Sequence, residues 1–264
     1  MFRTRSLVVV AALALLAASC GSGGGIGGSA SNMSLDQEWQ LGNQMAAQVA
    51  QQVHLVNDPV ALAYVRQVGE RLHAQTPLAG RPFDFQIVDD PSVNAFAIPG
   101  GHIYVHRGLI QNVDKADELA GVMAHEISHV AARHVLKQAD QAAEINAIGS
   151  ILLGQNPGAL QQIVAQVLAG GAMARFSRSD EKQADDMGLD LMYRANYDPH
   201  GMLDMFQKLL AMERGGSGAV TRFFSDHPGT QDRIDDIQGK LPKYPSKPGM
   251  IVDDEGFHAM KSRM

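Results

Sequence analysis

The chain has 264 residues, which is enough for one substantial hydrophobic core or two modest ones. It is 45% hydrophobic and 19% charged, an ordinary balance for a globular protein, and its net charge of −6 argues against nucleic acid as a partner. The one cysteine, Cys20, excludes an intrachain disulfide.

Residues 1–19 have the features of an export signal. Two arginines precede an apolar run over residues 7–18, which is too short to span a bilayer, and small residues lie just before Cys20. The pattern resembles a bacterial lipoprotein signal, in which Cys20 would carry lipid and hold the protein on a membrane. By the same resemblance, Gly21 favours a Gram-negative outer membrane. A plain secretory signal with an incidental cysteine is the alternative.

After the signal, the sequence indicates a linker followed by two helices. Residues 20–34 are rich in glycine and serine, which indicates a flexible tether. Apolar spacing predicts one helix over residues 35–54. A second helix is expected from residue 59 to about residue 74, because Asp58 can cap it and a proline follows at its first position.

Three short strands are expected over residues 83–88, 94–98 and 102–106. The first alternates apolar and polar residues, and a Pro-Gly-Gly turn separates the other two. Together they predict a small antiparallel sheet. The strand at 94–98 is either an exposed edge, which could add a peptide substrate as a further strand, or an interior strand.

The stretch from His125 to His129 reads His-Glu-Ile-Ser-His and lies in a predicted helix, with Asp114 as the expected N-cap. On a helix the two histidines share one face and can bind a single metal ion through their ring nitrogens. Glu126 can act on a water at the metal without binding the metal itself. Zinc in hydrolytic sites has three protein ligands and lowers the pKa of a water to about 7. The alternative is an amphipathic helix with two surface histidines.

The second half of the chain predicts further helices. Residues 145–153 and 159–170 have helical patterns, separated by a Gly- and Pro-containing stretch. They would form either an ordinary helical hairpin or a lid over the site. Another helix is expected from residue 198 to about 214, and residues 242–264, with three prolines, predict a loose tail.

A third metal ligand must come from another part of the chain. His134 follows His129 by five residues, which turns it off the ligand face, so a supporting role is expected. Glu181 opens a predicted helix on which it shares a face with Asp185, four residues on. We predict Glu181 as the ligand and Asp185 as the acceptor for the spare N–H of a ligating histidine. The alternative is a solvated acidic helix start.

These motifs resemble the zinc metallopeptidase family that includes HtpX and the CAAX prenyl proteases. The resemblance covers about residues 35–240, and it rests on the HExxH pentad, Arg133-His134, Glu-x-x-Ala-Asp at residues 181–185 and the segment 94–101. It implies a mostly helical, zincin-like α+β domain over residues 35–241, with a small antiparallel sheet ahead of the HExxH helix. Because the chain shows no membrane helix beyond its signal, it is similar to the soluble periplasmic branch.

The family pattern implies roles for individual residues. The two histidines of the pentad and Glu181 would bind one zinc ion per chain, and Glu126 would be the general base. A His-Pro pair at His227 and an arginine six residues on, Arg233, also match the pattern. His227 would stabilise the oxyanion or act as a resting fourth zinc ligand. Arg233 would stabilise the oxyanion or tether the site.

The activity that these features predict is peptide-bond hydrolysis by a zinc metalloendopeptidase. The expected substrates are unfolded or misfolded envelope proteins, and the expected location is the periplasm, with an N-terminal lipid anchor in the outer membrane. A zinc-stabilised chaperone or binding module with minor or gated proteolysis is the alternative. A structural lipoprotein with a vestigial site is a third possibility.

Overall fold

A computed structural model describes residues 33–141, 151, 157–169 and 175–264. Its elements, in chain order, are α1 (Leu35–Gln52), α2 (Pro59–His73), β1 (Asp84–Val88), β2 (Ala95–Ile98), β3 (His102–His106), α3 (Arg107–Asn112), α4 (Ala116–Ala131), α5 (His134–Gln141), α6 (Pro157–Leu168), α7 (Arg178–Arg194), α8 (His200–Arg214), α9 (Thr221–Asp226), α10 (Thr230–Lys240) and α11 (Glu255–Lys261). This mostly helical fold with one small sheet confirms the predicted α+β class. The export signal, Cys20 and the tether up to residue 32 lie outside the described residues.

Each of the first two helices begins directly after a residue whose side chain caps it. Ser34 and Gln37 form a capping box at α1, in which each side chain accepts the backbone N–H of the other. At α2 the Asp58 carboxylate accepts hydrogen bonds from the two backbone N–H groups that follow Pro59. The helices predicted near residues 35 and 59 are therefore confirmed.

The sheet is mixed, with strand order β1-β3-β2. β2 and β3 form an antiparallel hairpin, and its turn requires Gly100 and Gly101, whose φ angles are 79° and 82°. β1 pairs with the other side of β3, and this pair is parallel, so the prediction of a purely antiparallel sheet is wrong for β1. The chain crosses from β1 to the far edge before it returns through the centre. Of the described strands only β3 pairs with β2, which makes β2 an edge strand.

Helix α4, which carries the HExxH pentad, is the centre of the fold. All of its residues from Ala116 to Val130 are buried, and it packs against α2, β2, α7 and α8. Two glycines allow the close approach of α8. A Cβ on Gly121 would lie 2.8 Å from the Cα of Met202, and one on Gly201 would lie 2.4 Å from the carbonyl carbon of Asp117. The main core therefore fixes the position of the pentad.

The start of α4 differs from the prediction. Its N-cap position is Lys115, whose side chain makes no capping hydrogen bond. The expected cap, Asp114, instead forms a 2.6 Å ion pair with Lys208, and its backbone N–H donates to the carboxylate of Glu118. Lys208 lies in α8, far along the chain, so the local sequence around Asp114 does not indicate that this ion pair replaces the capping role.

Helices α1, α5 and α6 enclose a second apolar cluster against the sheet. Helix α6 confirms most of the helix predicted over residues 159–170. The preceding predicted helix, 145–153, lies outside the described residues except for residue 151, so the choice between a hairpin and a lid stays a prediction. None of the described helices is long and apolar enough to cross a bilayer.

The C-terminal segment is part of the folded core, and the predicted loose tail at residues 242–264 is wrong. Helix α11 packs against α2, with Phe257 and Met260 fully buried in the main core. The hydroxyl of Tyr64 donates a 3.0 Å hydrogen bond to Asp254 at the start of α11. The three prolines that suggested a loose tail all precede this helix, so they do not prevent it from packing.

The packing of α11 yields a stability prediction. Phe257→Ala should lower the free energy of unfolding by about 3–5 kcal/mol, because a fully buried ring would leave a cavity. Urea unfolding followed by circular dichroism measures the change. The matched control is Val252→Ala, at a side chain that is 41% exposed, which should change stability by less than about 0.5 kcal/mol. Equal effects of the two substitutions would contradict the packed position of α11.

Candidate metal centre

Four buried side chains with metal-binding atoms converge beside α4. They are His125 and His129 on α4, Glu181 in the first turn of α7, and His227 directly after α9. None of them is more than 1% exposed, and their ligand atoms all lie within 4.8 Å of one another. Helix α7 begins where it does because Ser177 caps it with a capping box, which sets Glu181 in the first turn.

The measured separations between these ligand atoms, 3.0–3.5 Å, are close to those around a small tetrahedral metal ion. Nε2 of His125 lies 3.0 Å from Nε2 of His129 and 3.2 Å from Nδ1 of His227. The carboxylate of Glu181 lies 3.5 Å from each Nε2 atom and 3.0 Å from Nδ1 of His227. Four atoms bound at about 2.1 Å around a tetrahedral ion would lie about 3.4 Å apart. The donor set therefore fits a metal ion of the size and geometry of zinc.

Two of the ligands have the protonation state that metal binding requires. Burial, together with the charge of His125, lowers the pKa of His129 well below its ordinary value, so this imidazole is neutral. Burial raises the pKa of Glu181, but the charges of His227 and Arg233 outweigh burial and hold it well below its usual range. A neutral imidazole and an ionised carboxylate are the forms that bind a metal ion.

His125 is oriented by a buried ion pair. Its Nδ1 lies 2.9 Å from Oδ1 of Asp185, and Arg233 donates two 2.7 Å hydrogen bonds to the same carboxylate. The Arg233 guanidinium also lies 2.5 Å from Glu181. Burial and the Arg233 charge lower the pKa of His125, but hydrogen bonds to Asp185 and Glu181 raise it to about 9 in the metal-free protein.

His129 is supported by a different set of neighbours. Its Nδ1 lies 3.0 Å from Nδ1 of His134, which is itself fully buried. The ring of Phe176 stacks on the other side, with centroids 3.9 Å apart and an interplanar angle of 30°. Burial lowers the pKa of His134. Phe176 also lies 5.9 Å from the ring of His227, so it covers the centre from that side.

Glu126 lies beside the cluster but holds no ligand position. Its side chain is 1% exposed, and Oε1 lies 3.5 Å from Nε2 of His227. Among the described residues Oε1 has no hydrogen-bond partner. Burial raises the pKa of Glu126, although the charges of His227 and His125 oppose this. A buried carboxylate oxygen without a hydrogen-bond donor is suited to receive a proton from a water at the cluster.

All the predicted site residues within the described part of the chain lie together at this centre: His125, Glu126, His129, Glu181, Asp185, His227 and Arg233. Their roles remain predictions. Cys20, the predicted lipidation site, lies outside the described residues. The sequence did not indicate Phe176, because its ring reaches His129 only through the turn before α7. The contact of His134 with Gln183 was also missed, since the two residues belong to different helices.

Comparison with known proteins gives one family match. The model of a family described as peptidase family M48 matches residues 59–241. The matched segment runs from the start of α2 past α10, so it contains every described residue of the candidate centre.

Several named proteins are similar over most of this segment. The beta-barrel assembly-enhancing protease of Escherichia coli K12 is 32% identical over 242 residues, covering 88% of this chain and 49% of that protein. Mitochondrial metalloendopeptidase OMA1 of Schizosaccharomyces pombe is 33% identical over 68% of this chain and 53% of its own length. Metalloprotease LoiP of E. coli K12 is 31% identical over 61% of this chain and 64% of its own length. The chain spans about half the length of the first of these relatives.

The buried ion pairs yield a prediction for the metal-free protein. Arg233→Met should lower the free energy of unfolding by about 3–5 kcal/mol at pH 7, because it leaves the carboxylates of Asp185 and Glu181 buried without their cation. Both carboxylates have lowered pKa values in the folded wild type. Their contribution to stability is therefore complete above the unfolded pKa of about 4 and is lost as the pH falls through the folded values.

Urea unfolding of both proteins between pH 7 and pH 3 measures this difference, which should shrink as the pH falls below about 4. The control is Arg178→Met, which removes an exposed arginine 3.6 Å from Asp232 and should cost less than about 1 kcal/mol. A stability gap that stays constant across this pH range would contradict the assignment.

Proposed function

Because the chain belongs to peptidase family M48, as its motifs predicted, we propose that it is a zinc-dependent metalloendopeptidase. The observation that carries this proposal is the set of four buried side chains whose ligand atoms all lie within 4.8 Å of one another. Next to that set lies the carboxylate of Glu126, whose Oε1 has no hydrogen-bond partner within the part of the chain that the structure describes. The similar proteins are named as proteases or as a metalloendopeptidase, and these names support the same activity.

We assign one zinc ion per chain to His125, His129 and Glu181. Two imidazole nitrogens and one carboxylate oxygen are a donor set of catalytic zinc sites in peptidases. When bound, zinc would polarise the scissile carbonyl and lower the pKa of a water to about 7. Nδ1 of His227 lies 3.2 Å from Nε2 of His125 and 3.0 Å from the Glu181 carboxylate, which favours the resting-ligand role for its imidazole.

Glu126 acts as general base and then as general acid. It takes a proton from the attacking water and passes it to the leaving nitrogen of the peptide bond. Its buried Oε1 suits this task, because no hydrogen-bond donor of the described residues has to be displaced first. The raised pKa brings the carboxyl closer to the working pH, where both proton uptake and release are efficient.

The substrate is an extended peptide that adds to the edge strand β2. This strand packs against α4, which carries Glu126, so a peptide along its edge would run beside the centre. Arg233 is already engaged by Asp185 and Glu181, which favours the tethering role over oxyanion stabilisation. The oxyanion partner is then His227, once its ring leaves the fourth vertex.

The proposed location is the periplasmic face of an outer membrane, with a lipid anchor at Cys20 and unfolded or misfolded envelope proteins as substrates. The predicted lipoprotein signal over residues 1–19 supports the anchor. The substrate class is supported by the relative from E. coli, whose name is beta-barrel assembly-enhancing protease.

A gated version of this function, in which binding of client proteins predominates and cleavage is minor, is the second candidate. The observation that favours it is the position of His227, whose Nδ1 lies close enough to His125 and Glu181 to be a fourth protein ligand. A site with four protein ligands has no open position for water and is typical of structural zinc. Opening of the segment around His227 would then control cleavage.

The general-base role predicts a separation of metal content from activity. Glu126→Gln should retain one zinc per chain and lose cleavage of casein and of an unfolded outer-membrane protein by about 10²- to 10⁴-fold. Metal analysis and gel-based cleavage assays measure the two properties. Glu70→Gln, at an exposed position of α2, is the matched control and should behave as wild type. Equal cleavage by wild type and Glu126→Gln would refute the role, and wild type without zinc would refute the proposed function.

The proposed role of His227 as a resting fourth metal ligand predicts a spectroscopic change. In protein loaded with cobalt in place of zinc, His227→Ala should alter the visible absorption, because an imidazole is exchanged for water. His200→Ala, at an exposed histidine outside the cluster, should leave the spectrum unchanged. A wild-type spectrum in the His227→Ala variant would show that His227 does not bind the metal.

A further inference from the structure

The two histidines of the pentad have different supporting partners on their Nδ1 atoms. His125 has the carboxylate of Asp185, whereas His129 has a second imidazole, that of His134, at 3.0 Å. We propose that His134 is a positioning residue, which holds His129 in the tautomer that presents Nε2 to the metal. This inference rests on the proposed function, and it assigns His134 and its partner Gln183 to the same centre.

The outer nitrogen of His134 faces oxygen acceptors. Nε2 lies 3.1 Å from Oε1 of Gln183 and 3.4 Å from Oδ1 of Asp180. A carboxylate oxygen only accepts hydrogen bonds, and so does the amide oxygen. The proton of a neutral His134 therefore belongs on Nε2, where it is donated to these oxygens. The assignment does not depend on the orientation of the Gln183 amide alone, because Asp180 favours the same tautomer.

The inner nitrogen of His134 is then an acceptor. With its proton on Nε2, a neutral imidazole keeps a lone pair on Nδ1. That lone pair faces Nδ1 of His129, so His129 must carry its own proton on Nδ1 and donate it. Nε2 of His129 is left with its lone pair, and this is the atom that lies 3.0 Å from Nε2 of His125 and 3.5 Å from Glu181.

Several contacts restrict the orientation of the His129 and His134 rings. His134 is fully buried, so water does not compete for its Nδ1. Phe176 stacks on His129 and restricts rotation of the ring about its χ2 angle. Gln183 lies on α7 between Glu181 and Asp185, so one short stretch of helix carries the proposed metal ligand, the partner of His125 and the partner of His134. Such outer partners typically contribute 10- to 100-fold to metal affinity.

The direct experiment is long-range ¹H–¹⁵N spectroscopy of the zinc-loaded wild-type chain, which reports the protonated nitrogen of each imidazole. We expect the Nε2–H tautomer for His134 and the Nδ1–H tautomer for His129. The Nδ1–H tautomer at His134 would overturn the proposal. This readout needs no substitution, so it decides the question even if a variant fails to fold.

Zinc affinity, measured by competition with a chelator, is the second test. His134→Phe removes both ring nitrogens but keeps an aromatic side chain, and it should raise the zinc Kd by about 10- to 100-fold. His134→Gln supplies an amide oxygen in place of the ring acceptor and should restore part of the affinity. The matched control is His73→Phe, at a buried histidine that stacks on Phe83, which should leave the Kd unchanged.

The outcomes separate this inference from the proposed function. A wild-type chain that takes up no zinc refutes the metallopeptidase proposal, and the role of His134 fails with it. A wild-type chain that binds zinc, together with a His134→Phe variant of equal affinity, refutes only the positioning role. An equal loss of affinity in His134→Phe and His73→Phe would show a general effect of packing, and it would also refute that role.

Discussion

Two imidazole nitrogens held 3.0 Å apart in a dry interior repel each other unless a proton or a cation lies between them. The rest of the structure enforces this proximity. Helix α4 is buried along its length, and the close contact at Gly121 and Gly201 locks it against α8. Helix α7 packs on α4 and brings the carboxylate of Glu181 to the same point. A rigid core thus holds together a cluster of polar atoms that would otherwise prefer water, and a bound metal ion would compensate this cost.

The two histidines of the pentad are supported by two separate sets of contacts, which we call the two arms of the site. On one arm Arg233 holds Asp185, which in turn orients His125. On the other arm the acceptor of His129 is the neutral ring of His134. The charged arm balances the buried carboxylates, whereas the neutral arm fixes a tautomer without adding charge. This division keeps the buried site close to electrostatic balance, which matters because an unpaired charge in the interior costs several kcal/mol.

Access to the centre depends on the segments that close over it. His227 lies beside the ligand atoms of His125 and Glu181, and Phe176 stacks across the ring of His129. Both lie just outside helices, at the end of α9 and before α7, where the backbone can change conformation without breaking a helix. The core therefore positions the histidines of α4 and Glu181, whereas His227 and Phe176 reach the cluster from residues at helix ends.

Local spacing in the sequence determined the features that a single turn or cap decides. These include the shared face of His125 and His129 and the start of α2 at Pro59, directly after its cap Asp58. The tertiary structure decided the parallel pairing of β1, the burial of Phe257 in α11 and the commitment of Arg233 to carboxylates on another helix. The physical reason is distance along the chain: helical geometry fixes relations within a few residues, whereas contacts between separate elements depend on how the whole core packs.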